Sequence, residues 1–512
     1  MIGNNTYGGG SGKQKGIYPI DSVGLPTGDV IVPDGVTSLS ANIFPNNQNI
    51  TSVKLPTTCV KFEGSCFTGC TKLKSVNIPD GTPSIPSNCF YNTAALSTVH
   101  IPASVTSIGS SAFNYSGVSN IQIEDGAKFT LEQSCFSRTN ITNEDVKNLL
   151  EHNKTVFGSV FDYTKTITDI DIPFSWNSMF YNCINLRKVK IRGGTKSSSD
   201  ALYHFGQSAF SNCSSLEEFI IDIAEGKQPI QKISNSAFDG CKKLASFTVP
   251  DTVQEIDSYS FRSCSSLTTI NIPASVTKIG DSAFEGVGSL ENLSIDNDTS
   301  YELGRYCFCN NSRITSADVI TKILAHANKL GESIFASCKG LPAELEISKT
   351  GGSMFVSCTT LVKVTVTGYL DTLATGSYIF RSCTALEEAI LSEGAVTIDS
   401  GIFNGCSKLK KVYLPSSITS APTDCLSTTN SSYYIFQGCT SLEDVQVGKN
   451  WNMSLRLSVS SKLTTDSMIA MFNNLKDLTG ETAKTLTFGS TNLAKLTDEQ
   501  KAIATNKNWT LA

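Results

Sequence analysis

Apolar residues recur along this chain as short alternating runs separated by small polar turns. The stretch 101–123, IPASVTSIGSSAFNYSGVSNIQI, shows the unit: Val105, Ile108, Phe113, Val118, Ile121 and Ile123 are its apolar positions. Its closing residues alternate apolar and polar, as a short strand with one buried face does. Proline follows such runs at 79, 102, 273 and 415 and ends them, because it has no N–H to give a ladder. Phenylalanine marks the phase, at 44, 67, 90, 113, 136, 161, 180, 210, 238, 261, 284, 308, 335, 355, 380, 403 and 436. The first five are 23 residues apart. One unit is too small to bury its own apolar side, so the pattern predicts coils stacked into a continuous core with parallel strands.

Ten of the seventeen cysteines fall three residues after a ladder phenylalanine, Cys70, Cys213, Cys241, Cys264 and Cys406 among them. A cysteine at one fixed phase predicts a buried thiol ladder rather than a disulfide framework. The expected spine thus includes Phe67 with Cys70, Phe113, Phe210 with Cys213, Phe238 with Cys241, Phe261 with Cys264, and Phe403 with Cys406.

The string V-x-x-I-x-x-x-A-F-x-x-C-x-x-L, followed by an alternating strand and proline, resembles the BspA-like (Treponema pallidum-type) leucine-rich repeat. It is plain in TVQEIDSYSFRSCSSLTTINIP and in AVTIDSGIFNGCSKLKKVYLP. The resemblance implies a repeat solenoid, a right-handed superhelix with parallel β-strands, mostly β with short helical insertions. It also implies surface adhesion and partner binding.

A longer period overlies the short one. LSTVHIPASVTSIGSSAF at 96–113 and LTTINIPASVTKIGDSAF at 267–284 agree at thirteen of eighteen positions. Each is followed by a helical stretch, about 142–153 and 315–328, opened by a threonine (Thr142, Thr315) three residues before an aspartate (Asp145, Asp318). A block of coils plus helix is therefore duplicated, about 96–190 and 267–366. The expected organisation is a flexible Gly-rich tail at 1–24, a solenoid at 25–450, and an α/β capping module at 451–512. In the last, Thr497 and Gln500 open a helix and Trp509 pins the end. This module also resembles terminal modules of bacterial surface and phage tail repeat proteins.

Composition narrows function. Charged residues make up 17% of the chain and the net charge is −5, which gives no basic footprint for nucleic acid. No apolar run reaches the roughly 20 residues of a membrane span, and the N-terminus lacks the apolar core of a signal peptide. The four histidines show no metal-ligand spacing, and neither a nucleophile elbow nor a phosphate loop is present. We therefore expect no catalytic residues, no metal and no cofactor. Asp296 and Asp298 read as a surface turn.

Three insertions enter between strand and phenylalanine, before Phe210, Phe380 and Phe436, and carry Tyr203, His204, Tyr369, Tyr378, Tyr433 and Tyr434. Tyrosine gives large, rigid contact area with a polar tip, which suits protein or glycan recognition. The same rings could instead fold back over the core. The sequence points to a non-enzymatic scaffold that binds a protein or glycan at a cell or virion surface. The favoured presentation is a virion protein, a phage tail or fibre component contacting the host, which needs no signal peptide and fits the Gly-rich tail and terminal module; the alternative is a bacterial cell-surface adhesin, which fits the family, and a structural assembly role is the third reading.

Overall fold

A computed structural model describes residues 26–194, 202–223, 226, 228–288, 290–367, 378–394, 398, 401–419 and 435–512, with the backbone of 2–6 and 15–19. The chain folds as two compact units, Met1–Ala245 and Ser246–Ala512. Each is a stack of coils whose strands run parallel.

In the first unit, Asp169–Ile172, Lys188–Ile191 and Glu218–Ile221 pair in register, and Gly28–Ile31, Ile50–Lys54 and Ser75–Val76 pair in parallel with a register shift between Gly28 and Asp29. A second set of shorter strands forms another wall: Ser107–Ile108, Phe129–Leu131 and Asn153–Val156. The second unit repeats the plan. Its longest sheet holds Glu344–Ile347, Lys363–Val366, Glu388–Leu391, Lys411–Leu414 and Asp444–Val447. Outward residues there alternate in charge from strand to strand: Glu344, Lys363, Glu388, Lys411 and Asp444 lie side by side. Lys363 Nζ is 3.1 Å from Glu388. Opposite charges directly across a strand pair stabilise that register.

Phenylalanine rings form the interior column. Phe44, Phe67, Phe90, Phe113 and Phe136 stack at 5.1–5.7 Å. In the second unit Phe261, Phe284, Phe308, Phe335, Phe355, Phe380, Phe403 and Phe436 continue likewise at 5.3–6.0 Å. The cysteines tie coil to coil. The Cys213 thiol donates to the Phe180 carbonyl at 3.2 Å, and Cys241 to Phe210 at 3.2 Å. Cys70 donates to Phe44 at 3.0 Å, and Cys406 to Phe380 at 3.1 Å. A thiol fits here because it fills an apolar gap and still offers one weak donor to a buried carbonyl. All sixteen described cysteines are buried and unbridged; Cys425 lies outside the described residues. Burial pushes the Cys213 and Cys338 thiols up to about 12, so they are poor nucleophiles.

Helix α1 (Asn143–Glu151) opens on a capping box. Thr142 Oγ1 accepts from Asp145 N–H while the Asp145 carboxylate takes the Thr142 N–H. Helix α2 (Ala317–His326) differs from the sequence expectation: Ser316, not Thr315, is the N-cap, and its side chain makes no capping bond. Two adjacent hydroxyl residues compete there, and the helix begins after the second. Helix α3 (Thr465–Asn474) is capped by Thr464. Beyond it, Leu455–Arg456, Lys484–Thr487 and Trp509–Leu511 form a parallel sheet beside the short α4 (Ser490–Leu493) and α5 (Asp498–Thr505). Lys507 Nζ donates to the Phe472, Asn473 and Leu475 carbonyls and so closes the C-terminus of α3.

At the N-terminus, Ile2–Thr6 pairs antiparallel with Lys15–Pro19, where the composition predicts only a flexible tail. The glycine-rich residues 7–14 lie outside the described residues.

Candidate recognition site

The turn after each ladder phenylalanine has one backbone requirement. At all seventeen coils the residue two positions after the phenylalanine has positive φ. Five of these residues are asparagine, five glycine and four serine, types that tolerate or locally support the left-handed conformation. The other three are Tyr115 (φ 62°), Arg138 (φ 57°) and Tyr163 (φ 56°), on consecutive coils of the first unit. A bulky residue there costs about 1–2 kcal/mol. Strain of this kind gathers at functional positions.

These three side chains meet. The Arg138 guanidinium carbon lies 4.7 Å from the Tyr115 ring centroid and 3.9 Å from that of Tyr163. Its Nη1 donates to the Tyr115 hydroxyl at 2.7 Å. Tyr91 packs edge-on against Tyr115 at 5.8 Å, and Tyr181 against Tyr163 at 5.4 Å. Tyr181 and Asn212 extend the row through a hydrogen bond of 3.4 Å. Arg138 is exposed and Tyr115 is 44% exposed. Among the described residues no carboxylate lies within ion-pair distance of Arg138, and its other guanidinium N–H groups have no hydrogen-bond partner. Beneath it, burial pushes the Asp162 carboxyl up to about 6, against the Ser137 hydroxyl and the Arg138 charge, which favour its ionised form. Asp162 Oδ1 is buried without a partner.

The tyrosines singled out from the insertions are placed differently. His204 is 4% exposed and its Nδ1 accepts the Gly206 N–H at 2.8 Å, so its ring is spent inside the coil. Tyr203 is half-buried; its carbonyl takes the Gln231 and Lys232 N–H groups. Tyr378 is half-buried under the Arg381 guanidinium, 5.0 Å away. Tyr203 and Tyr378 belong to different units. Tyr369, Tyr433 and Tyr434 lie outside the described residues. Sequence reading missed the Tyr115–Arg138–Tyr163 row, since nothing in the string displays φ. The available signal was a bulky residue at a phase that elsewhere holds only glycine, asparagine or serine.

The second unit carries a groove of about 940 Å³ lined by Lys278, Asp281, Glu302, Arg305, Lys329 and Lys349. Its charges are largely met from within: Lys329 pairs with Glu302, Lys278 with Glu255, and Lys349 Nζ caps the Ala327 carbonyl. Among the described residues no group of three or more His, Cys, Asp or Glu could hold a metal ion. His100 pairs with Glu124, while His152 and His326 turn their Nδ1 atoms to the Asn148 and Thr299 carbonyls. Asp296 accepts the Ala274 N–H of the preceding coil at 3.2 Å. No helix among the described residues is long and apolar enough to cross a membrane.

The family model described as BspA type leucine rich repeat region matches residues 37–168, 130–231, 231–348 and 328–446. Similar solved structures include a leucine-rich repeat protein from Bacteroides ovatus, 21% identical over 87% of this chain and 92% of that one, with a TM-score of 0.38. A leucine rich cell surface protein from Faecalibacterium prausnitzii is 17% identical over 86% and 94%, with a TM-score of 0.27. The T. pallidum leucine rich repeat protein is 20% identical over 37% and 77%, with a TM-score of 0.24. No curated protein sequence matches the chain. The repeat model spans most of the sequence: the chain belongs to the BspA-type leucine-rich repeat family.

Proposed function

We propose that this protein is a non-enzymatic recognition scaffold that holds a protein or glycan ligand at a bacterial cell surface. The observation that carries the reading is the Tyr115–Arg138–Tyr163 row. Three consecutive coils accept a strained backbone to display bulky, hydrogen-bonding side chains where fourteen other coils use small ones. Stability does not call for that exchange; ligand contact does. A stacked repeat suits the task because one coil more or less lengthens the surface without disturbing its neighbours. Membership of a family of surface proteins supports display outside the cell. Family membership lends no support to display on a virion, the presentation that the sequence alone favours.

The test is binding of the fluorescently labelled intact protein to a panel of bacteria and epithelial cells. Saturable binding to some of them, competed by unlabelled protein, is expected. Absence of saturable binding throughout the panel would contradict the proposal.

A further inference from the structure

We infer that Arg138, clamped between Tyr115 and Tyr163, is the centre of a site for a carboxylate-bearing sugar, such as a uronic or sialic acid residue of a surface glycan. The inference rests on the scaffold reading above and names its ligand.

Arginine presents five N–H donors in a planar fork that matches a carboxylate. Here one donor is used on the Tyr115 hydroxyl, and ring contacts at 4.7 and 3.9 Å hold the plane. Clamping removes rotamer freedom before the ligand arrives, which lowers the entropic cost of binding. The remaining donors are unclaimed by any described residue, on an exposed side chain. The Asp162 carboxyl beneath feels the Arg138 charge but takes no hydrogen bond from it, so the fork is held by the aromatic rings and its outer donors stay open to a ligand.

The surroundings favour a sugar over an acidic peptide. The Tyr91, Tyr115, Tyr163 and Tyr181 side chains line the row, linked by edge contacts of 5.8 and 5.4 Å on either side of Arg138. A phenol hydroxyl both donates and accepts, as sugar hydroxyls do, and ring faces accept the C–H surface of a pyranose. Coils step at the strand spacing of about 4.8 Å, close to one pyranose per coil, so neighbouring residues of an oligosaccharide can follow the row. An extended peptide advances about 3.4 Å per residue and falls out of step with it.

The experiment is calorimetric titration of the full chain with sialyllactose and a hyaluronan tetrasaccharide, with lactose and a glutamate-rich peptide as comparators. At least one acidic oligosaccharide is expected to bind saturably while lactose does not. Arg138→Asn should weaken that binding at least tenfold without lowering the melting temperature, because asparagine serves the same turn at Asn46, Asn92 and Asn182. Arg138→Lys, which keeps the charge and loses the fork, should fall between. The inference is overturned if neither acidic sugar binds, if Arg138→Asn retains full affinity, or if the peptide binds as well as the sugars. Should the sugars fail while labelled protein still binds cells, the ligand assignment falls and the scaffold reading stands.

Discussion

At the scale of single residues, two kinds of position behave differently. Phe67, Phe113, Phe210 and Phe403 are fully buried, and their spacing was legible because a stacked ring must recur once per coil. Arg138 and its tyrosines were not legible, because the demand they violate is one of backbone angle. Asp162 joins the two groups. Its carboxyl sits under the row with a folded value of about 6, against an ordinary value near 3.8, and burial is the main cause. Between pH about 4 and 6 the folded protein holds a proton that the unfolded chain has released. Stability therefore falls as pH rises through that window and is level above it. Asp162→Asn should abolish this slope and, at pH 7, stabilise the protein by about 1–2 kcal/mol, allowing for partial solvent screening. Melting temperatures of both proteins from pH 4 to 8 check this; parallel curves would refute it.

At the scale of elements, the duplicated blocks offer an internal comparison. Both helices were readable from their apolar stripes: Val146, Leu149 and Leu150 in α1, and Val319, Ile323 and Leu324 in α2, are buried against the coils. The caps were readable in only one copy. Thr142 and Asp145 bond reciprocally, and Asp145 Oδ1 also takes the Ile121 N–H of the preceding strand, so α1 is fixed to its coil by one carboxylate. In α2 the adjacent Thr315 and Ser316 offer two starts, a choice settled by packing that spacing does not encode. Thr142→Ala should cost about 1 kcal/mol, whereas Ser316→Ala should be nearly neutral, since that side chain makes no capping bond. Urea unfolding of the two variants distinguishes them. Equal losses would show that α1 gains nothing from its box.

At the scale of the whole molecule, repetition made the fold the most legible feature of the chain and the ligand the least. Coil after coil obeys one pattern of phenylalanine, small left-handed residue and cysteine, so periodicity alone reveals the parallel stack. The proposed recognition would lie in departures from that pattern, and departures of two kinds looked alike in sequence. The insertions before Phe210 and Phe380 drew the eye by length, yet His204 is sealed inside its coil and Tyr378 lies beneath Arg381. The row that stands outward carries no insertion between strand and phenylalanine; at its turn position it departs from the other coils in side chain alone. A scaffold that keeps its core pattern while varying one turn position can change ligands without refolding.

If Tyr115, Arg138 and Tyr163 serve contact with a ligand rather than stability, all three can be exchanged without loss of folding. The most direct measurement replaces all three with asparagine, the residue that other coils carry in the same place, and records melting temperature and cell binding together. The account predicts an unchanged or higher melting temperature, as left-handed strain is relieved, and loss of most saturable binding. A large fall in melting temperature, or cell binding equal to that of the original protein, would contradict it.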